Sequence, residues 1–492
     1  MKKIITTILL LILVACSSGD DKSTDPVTPV PDKSTNVRAQ TGTVERLQIE
    51  ELTYIGPPAE KWIIGGIRGT LTNDLRRAAL QKFDVLTVED QNAALKIATD
   101  RRKAGEKINL TDEVARILSI DYRCVGQVQN IGGVVRVTLK LLKAPDFKVY
   151  KSTTTDKKRT ELLELQNVVI ENLMHDMDEK ITTEAITTME ASKTKSLLAY
   201  EFYGKGINAL DDNPSQALLS FERAIEIDKN FIDALIQAGR ISIYPLSDYK
   251  KGSEYLIRAK NILENQGNSN SLEYATILRS LGQSYNHKNE LSTAESYYLE
   301  SKKILENLGK ENTDVYVEIL RDFGVQNRDL DLIFRGISIL EKNRKQNTLL
   351  YIDCLIGIAK LYLDEESYDN ALSYYSKAQE IAENNGYKNT FQYASILSNI
   401  ANTLMWKDVY NEKVLNLLNK SKAVRERLNL KNTRGYSFVL TYLGDYYRNK
   451  GNNLLALKYY KEAYNLKIKL GVYEDRKRLE DQIQYLETVI QK

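Results

Sequence analysis

The stretch Leu281-Gly282…Tyr285…Ala294…Tyr298 returns as Ile358-Ala359…Tyr362…Ala371…Tyr375, and again as Leu443-Gly444…Tyr447…Ala456…Tyr460…Ala463. In each copy a second small residue follows the first by twelve positions, and Gly324 and Gly336 repeat the step. From Gly282 to Gly324 is 42 residues, from Ala359 to Ala401 is 42, and from Ala401 to Gly444 is 43. Self-similarity at a fixed period of this size is the mark of stacked repeats, each covering its apolar face only against its neighbours.

These residues resemble the tetratricopeptide repeat, whose two antiparallel helices need a small residue where they cross. The period is longer than that family's usual ~34 residues, and the chain is similar to its kinesin-light-chain variety. Ile381-Ala382-Glu383-Asn384-Asn385-Gly386 and Ile304-Leu305-Glu306-Asn307-Leu308-Gly309 resemble that variety's helix ends. The first repeat, Tyr203-Gly204 through Ala217, Phe221, Ala224 and Ile227, is nearer the ordinary length. The Asp314 to Leu349 repeat is shortened, and the repeat of Ala401 has Lys413-Val414 where Ala is expected. About seven repeats are expected over 196–475, with a capping helix over 476–492 carrying Leu479, Ile483, Leu486 and Ile490. The resemblance implies an all-α superhelix with a concave groove lined by the first helix of each pair. Counted from the small residue, groove positions include Arg279, Gln283, Asn286, Arg321, Asp322, Asn399, Asn402, Thr441, Asp445 and Arg448. Asn and Arg there can bond a peptide backbone or a carboxylate; any one of them also reads as an ordinary solvated side chain.

Residues 42–190 mix strands and helices, so the fold class is α/β, a small mixed-sheet domain, followed by the all-α array. Val44, Leu47 and Ile49 mark a weak strand, and Ile64, Ile67, Leu71, Leu75 and Ala78 share one helical face. Phe83 to Val88 reads as a short strand, and Thr111 as the cap of a helix carrying Val114, Ile117 and Leu118. Val135, Val137, Leu139 and Leu141 alternate with polar residues after Gly132-Gly133, which reads as a hairpin. Phe147 to Thr154 can add a strand, and an amphipathic helix follows from about Thr160 past Met177. Three pieces, Gly66 to Leu75, Phe83 to Val88, and Ala115 to Tyr122 with Gly126 and Val128, resemble the amino-terminal domain of the TolB type and its relatives in curli-secretion and flagellar lipoproteins. The first strand departs from that pattern at Ile49-Glu50-Glu51-Leu52. The resemblance implies a periplasmic docking domain and carries over no catalytic residue. Gly65-Gly66-Ile67-Arg68-Gly69 lacks the spacing and the Lys-Ser or Lys-Thr of a phosphate loop and reads as a close helix–sheet contact.

Met1-Lys2-Lys3 followed by the apolar run Ile4 to Ala15 is too short to span a bilayer and reads as a signal peptide, 1–16. Its end, Leu13-Val14-Ala15-Cys16, resembles the bacterial lipobox, which implies acylation of Cys16. Residues 17–41, with Pro26, Pro29 and Pro31, read as a disordered tether. Ser17 in place of Asp points to the outer membrane by the sorting rule of enterobacteria-like lipoproteins. Gly19-Asp20-Asp21 resembles the surface-export signal of some Bacteroidetes lipoproteins. The expected location is the cell envelope by lipid anchor, on the periplasmic face or the cell surface.

The chain has 492 residues, 42% apolar and 27% charged, enough for two or three folding units. A net charge of +3, from 69 basic and 66 acidic residues, gives no bulk attraction to nucleic acid or to an anionic membrane. The 30 Tyr against 9 Phe suit thin, solvent-lined helical layers. Only His175 and His287 are present, and both read as surface or interface residues; a His-rich metal site is excluded. Cys124 and Cys354 read as small buried apolar groups. No catalytic constellation, cofactor or metal is expected. The expected function is an envelope scaffold for protein or peptide partners. The alternative is a sensory or secretion-assembly component in which the α/β domain docks or oligomerises and the repeats regulate it.

Overall fold

Val135, Val137, Leu139 and Leu141 are all buried along one face of β5 (Val134–Lys143), as their alternation demands. The computed structural model describes residues 45–491, except 79–82, 87, 178, 180–182, 211–212, 245 and 473–474. The expected signal peptide with Cys16, and the tether at 17–41, lie outside the described residues.

β5 pairs antiparallel with β4 (Tyr122–Ile131) through the two-residue turn Gly132-Gly133, both at positive φ, and with β6 (Lys148–Lys158) on its other side. β1 (Glu45–Ile49) lies parallel between β4 and β3 (Phe83–Val85), and β2 (Thr53–Ile55) pairs parallel with β4. The sheet order β3-β1-β4-β5-β6 is therefore mixed. α1 (Trp62–Arg77) and α4 (Leu162–Asp176) contribute Ile63, Ile67, Leu165 and Val169 to the core under it. Two sequence expectations change. Asn109, not Thr111, caps α3 (Leu110–Ile117): its Oδ1 accepts from the Thr111 and Asp112 amides at 2.9 and 3.2 Å. The strand expected to Val88 stops at Val85, and α2 (Val88–Lys103), weakly amphipathic and so hidden from periodicity, follows it.

α5 (Thr183–Ser192) leads into seven antiparallel helix pairs. They are α6 (Leu197–Ala209) with α7 (Pro214–Ile227), α8 (Ile232–Ile243) with α9 (Tyr249–Asn265), and α10 (Leu272–His287) with α11 (Leu291–Asn307). Next come α12 (Asp314–Asn327) with α13 (Leu330–Lys342), and α14 (Leu349–Asp364) with α15 (Tyr368–Asn384). α16 (Phe391–Trp406) with α17 (Glu412–Arg427) and α18 (Arg434–Asn449) with α19 (Asn453–Lys469) complete the set, and α20 (Arg476–Gln491) covers the end with Leu479 and Leu486. The small residues act as expected: a Cβ on Gly282 would lie 2.7 Å from the Tyr298 ring, and Val414 fills its unusual position fully buried.

A second repeating device sits at the joints. The Tyr274 hydroxyl donates to Glu264 at 2.7 Å, and Tyr316 to Glu306 at 2.7 Å. Tyr351, Tyr393 and Tyr436 donate to Glu341, Glu383 and Glu426, each at 2.8 Å. Each bond ties the last turn of one pair to the first turn of the next. Three residues before each tyrosine stands the cap, Ser271, Thr313, Thr348, Thr390 or Thr433, whose side-chain oxygen accepts from the tyrosine amide. A hydrogen bond to a charged acceptor at such partly exposed sites is worth about 1 kcal/mol.

The α/β part is fused to the array, and Thr43–Lys492 forms one compact unit. The glycines Gly65, Gly66 and Gly69 were expected against the sheet. They instead let α1 press on α6: a Cβ on Gly66 would lie 2.6 Å from the Tyr200 ring, and one on Gly204 would strike the Trp62 carbonyl. Farther along, basic groups meet the first-turn acids of α8, α10 and α12. Arg77 pairs with Asp233 and Glu273, and Arg46 with Asp314 at 2.9 Å. Lys345 joins Asp84 at 2.9 Å and Asp314 at 2.7 Å. Acids in a first turn are already favoured by the helix dipole. Ala94, Ile97, Val114 and Ile117 then share a buried cluster with Tyr387. Gly204→Ala is expected to lower unfolding free energy by roughly 1 to 3 kcal/mol, read as a shift of the urea midpoint. An unchanged midpoint would remove the glycine crossing as a determinant of the joint.

Candidate functional site: the concave groove

The first helices α10, α12 and α14 present one side to the next, and their charged residues join into a ladder. Arg279 reaches Glu318 at 2.9 Å and Asp322 at 3.2 Å, and Gln283 donates to Asp322 at 2.9 Å. Arg321 grips Asp322 at 2.6 Å and reaches Asp353 at 3.4 Å. Burial alone would push the Asp322 carboxyl up; the Arg321 and Arg279 guanidiniums outweigh it and hold it below the usual range. Asp353 has the weaker share of Arg321, and burial pushes it up to about 6.

Four of the expected groove residues, Arg279, Gln283, Arg321 and Asp322, thus come together, but as partners of one another. Asn399 is bonded to the Tyr375 hydroxyl. Asp445 accepts from the Tyr460 hydroxyl at 2.7 Å and from Arg478 at 2.8 Å, which ties α20 to α18. Thr441 faces inward rather than into the groove: it is fully buried and its hydroxyl donates to the Ser437 carbonyl at 3.0 Å. Its α18 register puts Tyr442 on the open side instead, partly exposed. Arg448 is exposed. Asn286 and Asn402 are partly exposed, and among the described residues neither side chain makes a hydrogen bond.

His287 holds the coil closed on itself. Its ring stacks on Tyr249 with centroids 4.5 Å apart, its Nε2 lies 2.6 Å from the Tyr244 hydroxyl, and its Nδ1 lies 2.9 Å from Arg434 Nη1. Arg434 has only N–H groups to offer, so Nδ1 accepts and the Nε2–H donates to Tyr244. The ring is therefore neutral. Burial, then the Arg434 charge, pushes its pKa down to about 4; Asp322 opposes this and Lys360 adds to it. This strut joins α10 to α18, 147 residues apart in sequence. Counting from the small residue of each repeat could not find Tyr244 and Tyr249, which flank the loop between α8 and α9. The local sign was the break after Ile243, with Asp248 capping the next helix.

Cys124 on β4 and Cys354 on α14 are free and fully buried, and burial pushes both thiols up to about 12. Among the described residues no group of three His, Cys, Asp or Glu side chains could hold a metal ion, and no helix is long and apolar enough to cross a membrane.

No protein-family model matches the sequence, and no curated protein matches it. Among solved structures the chain is similar to the apo form of RapI, at 14% identity and a TM-score of 0.44, covering 56% of this chain and 99% of that one. It is similar to a Rap protein complexed with competence and sporulation factor, at 10% identity and a TM-score of 0.43, covering 67% and 93%. A third is a tetratricopeptide repeat protein from Parabacteroides merdae, at 13% identity and a TM-score of 0.36, covering 59% and 100%. At these scores the likeness carries no weight for function. The helix pairs described above are of the tetratricopeptide type, behind a small mixed α/β sheet.

Because His287 is held neutral, the unfolded chain binds the extra proton between about pH 6.5 and pH 4. The strut's contribution is full above that window and is lost as pH falls through it. The His287 Hε1 resonance is expected to titrate near pH 4, and Arg434→Gln to move the midpoint upward. A midpoint near 6.5 in the unaltered chain would contradict the neutral strut.

Proposed function

We propose that this chain is an envelope scaffold that holds an extended peptide or protein segment in its concave groove and is tied to a membrane through lipid on Cys16. The observation that carries the groove reading is a division of labour among its polar groups. The charged residues neutralise one another, which shapes the wall. Asn286 and Asn402 keep amides uncommitted, and an amide can donate to and accept from a peptide backbone at once. Tyr244, Tyr249 and Tyr442 add large contact area with polar tips.

The groove is tested by placing the photo-crosslinker p-benzoylphenylalanine at Asn402, and for comparison at Lys458 on the outer face of α19, in the full chain in its own cells. Adducts from Asn402 and not from Lys458 are expected. Equal labelling at both, or none at Asn402, would count against the groove.

Anchoring rests on the lipobox-like Leu13-Val14-Ala15-Cys16 and the proline-rich residues after it. One acyl chain binds only marginally, so stable attachment needs more than one. Cys16→Ala is expected to move the protein from the washed membrane fraction to the soluble fraction. Retention in the membranes would sink the lipid anchor. Ser17 and Gly19-Asp20-Asp21 support an outer-membrane site, with the periplasmic face and the cell surface both open.

A second reading, in which the TolB-like part docks or oligomerises and the repeats regulate it, is favoured by the free edge of the sheet. β6 is exposed along most of its length, with Val149 and Tyr150 open to solvent. The fusion of this part to the repeats gives such regulation a mechanical route.

A further inference from the structure

Ile55 to Ala59 and Ile131 to Val134 form two loops side by side at one end of the sheet, and every residue of both is exposed with no polar side chain. Register sets them together. Ile131 faces Val134 across the hairpin, Ile55 lies against Gln129, and Lys158 of β6 is the neighbour of Val134. By the alternation of the strands these side chains share the open face of the sheet, opposite Val135 and Val137. Ile131 is 63% exposed, Ile55 45% and Val134 39%. One row farther in, the same face is polar, with Gln129, Arg136 and Asp156. The apolar surface is therefore confined to the tip.

Both loops are pinned from beneath. The Asn130 amide donates to the Glu60 carboxylate, which also pairs with Arg159 at 2.9 Å, and the Arg159 backbone amide donates to the Gly133 carbonyl at 2.8 Å. A Cβ on Gly56 would lie 2.9 Å from the Asn130 carbonyl, so the loops touch. These bonds satisfy the polar groups at the base and leave the apolar ones outward, and a fixed apolar surface rimmed by polar residues marks a contact site. The acids around it are matched. Glu60 pairs with Arg159, Asp156 with Arg136 at 3.0 Å and Glu164 with Lys157 at 3.0 Å, and Glu161 also acts on Lys157. Lys61 and Lys158 are exposed beside the loops, and among the described residues neither has an acid partner. The chain as a whole is nearly balanced in charge, so attraction to an anionic surface is local to this tip.

Resting on the reading of Cys16 as a lipid anchor, we propose that the paired loop tips are a second membrane contact. Ile55, Ile131 and Val134 enter the headgroup boundary of an anionic lipid surface, and Lys61 and Lys158 reach its phosphates. The contact is superficial, because a membrane-spanning strand needs ~9–11 residues. Besides the charge, the tether favours lipid over a protein occupant. A chain held at Cys16 meets its own membrane at high local concentration. β1 starts at the opposite end of the sheet, about 35 Å from the tip at ~3.3 Å per residue. The 28 residues between Cys16 and Glu45 reach up to about 90 Å when extended, so anchor and tip engage one membrane.

The test uses the full chain as Cys16→Ala, so that no acyl chain contributes. It is floated with vesicles of phosphatidylcholine, alone or mixed with phosphatidylglycerol. Flotation with the mixed vesicles is expected. Ile131→Asp with Val134→Asp should weaken it at least tenfold at unchanged Tm, and so should Lys61→Gln with Lys158→Gln. A nitrobenzoxadiazole dye on Ile131→Cys should shift to the blue on those vesicles, and the same dye on Lys140→Cys, mid-sheet on the same face, should not. Cys124 and Cys354 are buried and escape the dye. No flotation with the mixed vesicles, flotation that survives both pairs of changes, equal flotation on neutral vesicles, or equal dye shifts would overturn the contact. So would a dimer in sedimentation that Ile131→Asp dissolves, which makes a second copy the occupant. If the tip fails in these ways while Cys16→Ala still releases the chain from washed cell membranes, the anchor stands. If the Cys16→Ala chain stays in washed membranes and leaves them only when Ile131→Asp is added, the tip holds and the anchor reading fails.

Discussion

From α9 to α18 the array hangs on one hydrogen bond made five times, a tyrosine hydroxyl given to the glutamate ten residues before it. It fixes the angle between one helix pair and the next, because the tyrosine amide is itself held by a Ser or Thr cap three residues earlier. The phenol must be long enough to cross the joint, which phenylalanine could do only without the bond. That is where part of the tyrosine excess goes. At the last pair the glutamate is replaced by Ile468, ten residues before Arg478. There the stacking stops, Arg478 turns to Asp445, and α20 covers the end.

The α/β part is set along the same joints. Its arginines meet acids in the first turns of α8, α10 and α12, and the buried faces of α2 and α3 reach Tyr387 near the start of α16. The sheet rides on a row of helix starts and leaves the opposite wall, the ladder from Arg279 to Asp353, to the groove. A buried network of this kind contributes more to register than to stability, since desolvating each charge offsets much of the attraction. Asp74 shows the balance: burial raises its pKa despite Lys193 at 2.6 Å and Arg77 at 3.0 Å.

Much of this was written in the chain. The small residues twelve apart located the crossings, and the alternation from Val135 to Leu141 located the hairpin. Glu-x6-[Ser/Thr]-x2-Tyr was equally legible, at Glu264, Glu306, Glu341, Glu383 and Glu426, but a search for small apolar spacing passes over a polar motif. What the chain hid was long-range. The glycines of α1 gave no sign that their neighbour was Tyr200 rather than a strand. Arg279 looks free in sequence because the acids that hold it, Glu318 and Asp322, lie a repeat away, as does Asp353, the second partner of Arg321. Thr441 was misplaced for a local reason: a single helical step separates the buried side from the open one.

The uneven bracing also makes the array a spring with two stiffnesses. From α8 to the start of α16 the helices are clamped along one rim by the sheet, so that length can neither stretch nor twist without breaking buried ion pairs. Beyond it, α17 to α20 have no such clamp: they hold to α16 by the packing of Val414, Leu418 and Val424 and by Ser421 on the Ala394 carbonyl, with Arg434 on His287 as a strut back to α10. Strain applied at the carboxyl-terminal end would concentrate there, and the coil would unwind from that end as a hinged arm while its amino-terminal portion kept its pitch.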